Sequence, residues 1–304
     1  MGDVTIEFRH AALPNGITLH YAACGAGPAI LFVHGFPEFW YEWKDLLADF
    51  GRDHLAVAPD MRGYNLSSKP AEVEAYGAKR LVEDLRLLLD HLGVQRCVMV
   101  AHDWGGAVAW TFAAMHPERL ERLVIVNAPH PVIFARELRD NPAQQQASAY
   151  MNLFRSPKAE RVLAEDGYLR LRRSTLDVWA ANGGAATEAD HAAYLAAWSQ
   201  PGALTGGLNY YRASSLHPPD SGAPAAPTPG PGPDLAPGAF RVRVPTLVIW
   251  GERDHALLLG NLEGLDAYVE DLRVIRIPEG SHWVVHEQPA RIGRLIREFI
   301  GKRD

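Results

Sequence analysis

The sequence predicts an α/β fold: a mostly parallel sheet with helices on both faces and a helical insert before the last strands. Three observations carry this expectation. Strand-like and helix-like runs alternate through residues 1–130 and again through 240–304. Several of the strand-like runs are apolar at nearly every position, as strands covered on both faces are. Between residues 131 and 239 the alternation stops and no strand pattern is found. Residues 131–239 are therefore expected to form a helical cap domain, and 1–130 with 240–304 a single core domain.

The elements follow in order. Residues 5–10 and 17–22 are short alternating segments split by the turn signal Pro14-Asn15-Gly16, so they read as an antiparallel hairpin. Residues 29–34 (AILFVH) and the shorter run 54–58 read as buried strands. Residues 78–92 carry Leu81, Leu85, Leu88, Leu89 and Leu92 at helical spacing, and Gly93 stops the helix. Residues 96–102 (RCVMVAH) read as a buried strand, 105–116 as a helix closed by Pro117, and 123–127 as a strand. Beyond the insert, 246–250 and 273–277 are strands. Residues 288–300 are an amphipathic helix with Pro289 at its start, where proline is tolerated. Within the insert, 217–237 (HPPDSGAPAAPTPGPGPDLAP) holds eight prolines. That composition forbids a helix and offers no apolar face, so a surface excursion is expected.

Charge narrows the function classes. The net charge of −6 and pI of about 6.1 argue against a nucleic-acid binder, which needs a basic face. They argue equally against a polybasic membrane anchor. No apolar run approaches the ~20 residues that span a bilayer. Cys24 and Cys97 cannot build a disulfide framework, and the opening MGDVTIEFRH lacks the pattern of a secretion signal. A cytoplasmic globular protein is expected. Nothing in the sequence separates a monomer from a homodimer.

The most specific motif is Ala101-His102-Asp103-Trp104-Gly105-Gly106, between a buried strand and a helix. Small residues at −2, +2 and +3 let the chain turn sharply and lift the central side chain above the sheet, the geometry of a nucleophile elbow. The central residue is aspartate. A carboxylate is a poor nucleophile toward esters and amides, but it displaces leaving groups at sp³ carbon to give an alkyl ester. The electrophile is then an epoxide or an alkyl halide. His34-Gly35-Phe36-Pro37 follows the strand 29–33. That loop and the residue after the nucleophile supply the backbone N–H groups of an oxyanion hole, here Phe36 and Trp104. His34 reads as an architectural hydrogen-bonding group. Two further loops leave C-terminal strand ends, Gly251-Glu252-Arg253-Asp254 and Pro278-Glu279-Gly280-Ser281-His282-Trp283. They supply a base, His282, and an acid that orients it, Asp254. His286 is a rival base.

At these residues the chain resembles the α/β-hydrolase superfamily and, within it, the soluble epoxide hydrolases. The likeness is carried by HGFPEFW (34–40), PDMRGYNLSSKP (59–70), AHDWGGAVAW (101–110), VNAPHP (126–131), WGERD (250–254) and GSHWVVHEQP (280–289). It implies an α/β-hydrolase fold with a mainly parallel eight-stranded sheet and a helical cap between strands six and seven. It also implies two cap tyrosines that hydrogen-bond the epoxide oxygen. Tyr150, opening YMNLFR, and Tyr211, within LNYYR (208–212), occupy those places. Such an acid is needed because the leaving alkoxide is strongly basic. Tyr168, Tyr194 and Tyr210 read as packing residues, and Trp179 and Trp198 as cap packing with a share in a hydrophobic pocket. Some relatives carry the acid at the end of strand six, where this chain has Asn127. The implied partner is a small hydrophobic epoxide, opened to a vicinal diol through an ester on Asp103. No metal or organic cofactor is implied.

Four other readings are weaker. A haloalkane dehalogenase would use Trp104 as a halide ligand, but many carry asparagine where Phe36 stands, and Phe36 has no side-chain donor. A fluoroacetate-type dehalogenase would need arginines where Trp104 and Ala107 stand. A serine esterase is disfavoured by Asp103 itself, and a non-catalytic binding protein by the full set of reactive residues.

Overall fold

The computed structural model describes residues 4–219 and 240–301. Its centre is an eight-stranded sheet of β1 (Glu7–Ala12), β2 (Thr18–Cys24), β3 (Ala29–Val33), β4 (Leu55–Pro59), β5 (Cys97–His102), β6 (Leu120–Val126), β7 (Thr246–Gly251) and β8 (Leu272–Ile277). Their spatial order is β1-β2-β4-β3-β5-β6-β7-β8. The first two strands pair antiparallel, as does β2 with β4, and every later pairing is parallel. The hairpin turn lies where expected, with Gly16 at φ +84°. Its strands run two residues past the expected ones, because β1 is an edge strand exposed at all but one position and its alternation does not mark its ends.

Alternate side chains feed two cores, as the period-two geometry of a strand requires. Ile30 and Phe32 of β3 join Val98, Val100, Leu247 and Ile249 on one face. That face is covered by α1 (Lys44–Phe50) and by the C-terminal helix Pro289–Ile300, through Leu47, Phe50, Ile292 and Ile296. Leu31 and Val33 point the other way, with Met99, Ala101 and Ile125. There the sheet is covered by α2 (Ala78–His91), which buries Leu81, Leu85, Leu88 and Leu89, and by α3 (Asp103–Met115).

Between β6 and β7 the described residues form seven helices: α4 (Pro131–Asp140), α5 (Pro142–Ala147), α6 (Tyr150–Arg155), α7 (Ala159–Ser174), α8 (Leu176–Ala181), α9 (Glu188–Trp198) and α10 (Ala203–Ala213). The backbone of α7 breaks at Glu165–Tyr168, where Asp166, Gly167 and Tyr168 all have positive φ. The proline-rich segment expected at 217–237 lies outside the described residues from 220 onward. Among the described residues no helix is long and apolar enough to cross a membrane.

Aromatic donors are among the groups that tie the helical layer to the core. Tyr210 Oη donates to the Arg62 carbonyl at 2.8 Å, and Trp198 Nε1 to the Pro37 carbonyl at 2.6 Å. Arg62 itself is clamped by a bidentate pair with Asp84 on α2, at 2.7 and 2.6 Å, and both side chains are buried. Asn15 Nδ2 donates to the same carboxylate. Asp84→Ala would leave the guanidinium buried without its countercharge. Urea unfolding is expected to show a loss of about 3–5 kcal/mol. A loss under about 1 kcal/mol would mean that water replaces the carboxylate freely and that the pair does not hold this corner together.

Candidate active site

Asp103 sits at the joint of β5 and α3 with φ +49°, a left-handed backbone that non-glycine residues seldom adopt. The helix starts at Asp103, two residues before the expected Gly105. The sequence around it permits the turn. A Cβ on Gly105 would overlap the carbonyl oxygens of Val33 and His34, and one on Gly35 would overlap the Asp103 side chain. The loop after β3 therefore lies directly against the elbow. Phe36 N–H donates to Asp103 Oδ1 at 2.7 Å. Trp104 is the second residue of α3, so its N–H has no acceptor within the helix and belongs to the same corner. His34 is buried and bridges the loop, accepting from Met61 N–H at Nε2 and contacting the Gly35 carbonyl through Nδ1. It has the architectural place expected of it.

His282 stands on the other side of Asp103. Its Nε2 is 3.7 Å from Asp103 Oδ2, and its Nδ1 donates to Asp254 Oδ2 at 2.7 Å. Asp254 is buried, and its Oδ1 accepts the N–H groups of Ala256 and Leu257. Burial alone would raise this carboxyl, but His282, those backbone donors and Asn127 hold it below the usual carboxylate range. Burial alone would lower His282. Asp254, by charge and hydrogen bond, and then Asp103 outweigh it and push the imidazole up to about 9.

Tyr150, at the start of α6, and Tyr211, on α10, face Asp103 from above. All three line a cavity of about 330 Å³ with Phe36, Phe154 and His282. The same three line a smaller apolar recess of about 60 Å³ beside Trp104, Phe134 and Met151. The Tyr211 ring packs edge-on to Trp104 and Phe154, both with centroids at 5.0 Å. The Trp104 side chain reaches the Tyr211 hydroxyl, and Tyr211 reaches that of Tyr150. Burial first, and the charge of Asp103 among the other causes, raises both phenols, so each keeps its proton at neutral pH.

The rival base is elsewhere. His286 lies against Glu38 at 3.3 Å and under the Trp179 ring at 4.0 Å, and it lines neither cavity that holds Asp103. Trp179, Trp198, Tyr194 and Tyr210 are buried packing groups outside both cavities, so the pocket share expected of the two tryptophans falls instead to Phe154, Val178 and Trp283. Among the described residues no group of three or more His, Cys, Asp or Glu could hold a metal ion.

Sequence reasoning missed a polar layer beneath His282. His102 Nε2 donates to the His282 carbonyl at 3.0 Å, and its Nδ1 faces Glu42 Oε1 at 2.5 Å. Burial and the His282 charge push His102 down to about 3, and burial raises Glu42 well above its ordinary value. The contact lacks hydrogen-bond geometry: His102 Nδ1 and both Glu42 carboxylate oxygens are buried without a hydrogen-bond partner among the described residues. Glu38 joins the same layer through Tyr194 and His286. The only signal was the adjacency of His102 to Asp103. Glu38 and Glu42 sit in an aromatic stretch that reads as packing. Asn127, at the end of β6, is buried and donates to Asp254 Oδ2 at 2.8 Å.

Known proteins share this fold. A family model described as alpha/beta hydrolase fold matches residues 28–289. Epoxide hydrolase 4 of Mus musculus is 34% identical, covering 94% of this chain and 77% of that protein. AB hydrolase superfamily protein YfhM of Bacillus subtilis (strain 168) is 37% identical over 94% and 95%. Among solved structures, an epoxide hydrolase of Bacillus megaterium in complex with an inhibitor superposes with a TM-score of 0.89, at 35% identity, covering 97% of this chain and all of that one.

The electrostatics of His282 are measurable. Its NMR titration should centre near pH 9, and Asp103→Asn should lower the midpoint by removing one of the charges that raise it. Because the folded value lies above the ordinary 6.5, the associated stability is complete below about pH 6.5 and disappears as pH rises through 9. Urea midpoints should fall across that window in the wild type and fall less in Asp103→Asn. Equal falls would show that Asp103 does not contribute to the shift.

Proposed function

The chain belongs to the α/β-hydrolase fold family, and from that membership we propose that it hydrolyses small hydrophobic epoxides to vicinal diols through an ester on Asp103. The observation that carries this reading is the residue at the elbow: a carboxylate facing two protonated tyrosines across a largely apolar cavity.

The first step is attack by Asp103 Oδ2 on an epoxide carbon. The C–O bond opens, and Tyr150 and Tyr211 hydrogen-bond the departing oxygen and supply its proton. Oδ1 stays with the Phe36 N–H and becomes the ester carbonyl. Forming the ester removes the negative charge of Asp103, which is one cause of the raised His282 value. The imidazole then gives up its proton more readily and serves as the base for water. Water attacks the ester carbonyl from the His282 side. The oxyanion forms toward Phe36 and Trp104, where backbone N–H groups stabilise it. Asp254 keeps the His282 tautomer fixed and stabilises the imidazolium that results. Collapse releases the diol and leaves one water oxygen in Asp103. His282 passes the proton it took from water to the departing alkoxide, and the second water proton, left on the Asp103 carboxyl, restores the phenol, so the net reaction adds one water to the epoxide.

Residues 131–239 act as the cap that brings the tyrosines over the nucleophile. The support is positional, since Tyr150 and Tyr211 both come from that insert. The dehalogenase reading is weaker, because the Trp104 side chain is directed to Tyr211 and the Phe36 side chain has nothing to offer a halide.

The test is multiple-turnover incubation with styrene oxide, then a single turnover in ¹⁸O-water. The diol from the single turnover should carry ¹⁶O from Asp103, and ¹⁸O should appear in the protein. Halide release from 1-bromobutane with no diol from any epoxide would replace the reading with dehalogenation. Asp103→Asn should abolish turnover. His282→Gln should accumulate a protein adduct of the substrate mass, and full diol turnover by that variant would remove His282 as the base. Tyr211→Phe should slow ester formation by about 10- to 100-fold, since Tyr150 remains to share the oxygen. An unchanged burst rate would exclude Tyr211 as the acid.

A further inference from the structure

Asn127 follows directly on β6, which lies between β5, leading to Asp103, and β7, leading to Asp254. It is fully buried and has a left-handed backbone, φ +38°, which asparagine adopts more readily than most residues. Its amide is engaged at both ends. Nδ2 donates to Asp254 Oδ2 at 2.8 Å and to the Gly251 carbonyl at 3.2 Å, and Oδ1 accepts the Gly251 N–H at 2.8 Å. Asp254 Oδ2 thus accepts two donors, Asn127 and His282, while Oδ1 is held by its own loop. Among the described residues, Asn127 is the only donor to this carboxylate besides His282 and the backbone of its own loop.

We propose that Asn127 is a positioning residue for ester hydrolysis: its amide locks the rotamer of Asp254 and, by sharing Oδ2 with the imidazole N–H, limits how strongly Asp254 retains the His282 proton. The inference rests on the reading of Asp254 and His282 as acid and base. An amide suits this place because it cannot ionise. It donates more strongly to a carboxylate than to a protonated carboxyl group, so it favours the charged form of Asp254. It also leaves the nucleophile alone, since its contacts are with Asp254 and Gly251. The titratable groups that face His282 are Asp254 from the loop after β7, Asp103 from α3, and His102 from β5 at a ring separation of 4.6 Å, with Glu42 behind His102. Only the first of these is touched by Asn127.

The sign of the pH effect separates positioning from mere packing. With the amide gone, Oδ2 serves His282 alone, and the imidazolium is held more tightly. Damage that loosens Asp254 from His282 does the opposite. Asn127→Gly keeps the left-handed backbone and removes the amide. In rapid-mixing experiments with styrene oxide it should form the ester within about twofold of the wild-type rate. Ester decay should slow by about tenfold below its pKa, and the midpoint of its pH profile should rise by about one unit, the two being equivalent for a group that must be deprotonated. Added to Asp254→Asn, it should cost little more, because it acts through that carboxylate. A lowered midpoint, parallel loss of both steps, or full additivity with Asp254→Asn would overturn the proposal. If Asn127→Gly fails to fold, Asn127→Asp keeps the size and the acceptor for Gly251, and its second carboxylate should also raise the midpoint. An unmoved midpoint there overturns the proposal equally. Wild-type ester decay in Asp254→Asn would overturn the reading of the acid and this inference with it. Slowed decay in Asp254→Asn beside normal decay in Asn127→Gly would overturn this inference alone.

Discussion

A single backbone conformation organises this molecule. Asp103 is held in the left-handed region at a strand–helix joint, a state that costs of order 1–3 kcal/mol and persists only where its surroundings over-determine it. Those surroundings are specific. Gly35 and Gly105 let the loop after β3 and the start of α3 approach within the space of a missing methyl. The Phe36 N–H fixes one carboxylate oxygen, leaving the other free toward His282. The parallel strands β3, β5, β6 and β7 all end at the same edge of the sheet, so the loops carrying Phe36, Asp103, Asn127 and Asp254 converge there.

Asp103 is also the electrostatic centre. Its charge raises His282, Tyr150 and Tyr211 together, so the resting site keeps three protons around one carboxylate. On the proposed pathway the same bond-forming event that consumes this charge weakens the hold on all three protons. The phenols are then better donors to the nascent alkoxide and the imidazole a better base for water. One change of charge therefore serves both halves of the reaction. Beneath this centre, His102 Nε2 anchors the His282 backbone, and Glu42 is a smaller contributor to the raised His282 value.

Much of this was legible in the sequence because it rests on local pattern. Buried parallel strands are apolar throughout, so 29–34 and 96–102 stood out. The elbow announces itself by small residues on either side of Asp103, and the acid and base by loops that follow apolar strands. What stayed hidden depends on distant partners. His102 meets Glu42 across sixty positions, and Asn127 meets Asp254 across 127, and neither pair leaves a spacing rule. The start of α3 at Asp103 was missed because a positive φ in a non-glycine residue has no compositional mark. The ends of β1 were missed because a mostly exposed edge strand carries little burial pattern. The break in α7 was unmarked for a similar reason: only Gly167 hints at three successive left-handed residues.

Two of the hydrogen bonds that seat the helical layer share one property. Tyr210 and Trp198 donate from the insert, and both acceptors are main-chain carbonyls, those of Arg62 and Pro37. A carbonyl is present whatever side chain its residue bears. At these two points the socket is defined by backbone position alone, whereas Tyr194 on Glu38, and Tyr41 and Lys44 on Asp190, are contacts that depend on core side chains. A cap of different sequence keeps these two acceptors whatever the core side chains become, but it must still supply partners for Glu38, Tyr41 and Lys44. Pocket shape can then diverge while the reactive centre beneath it stays the same.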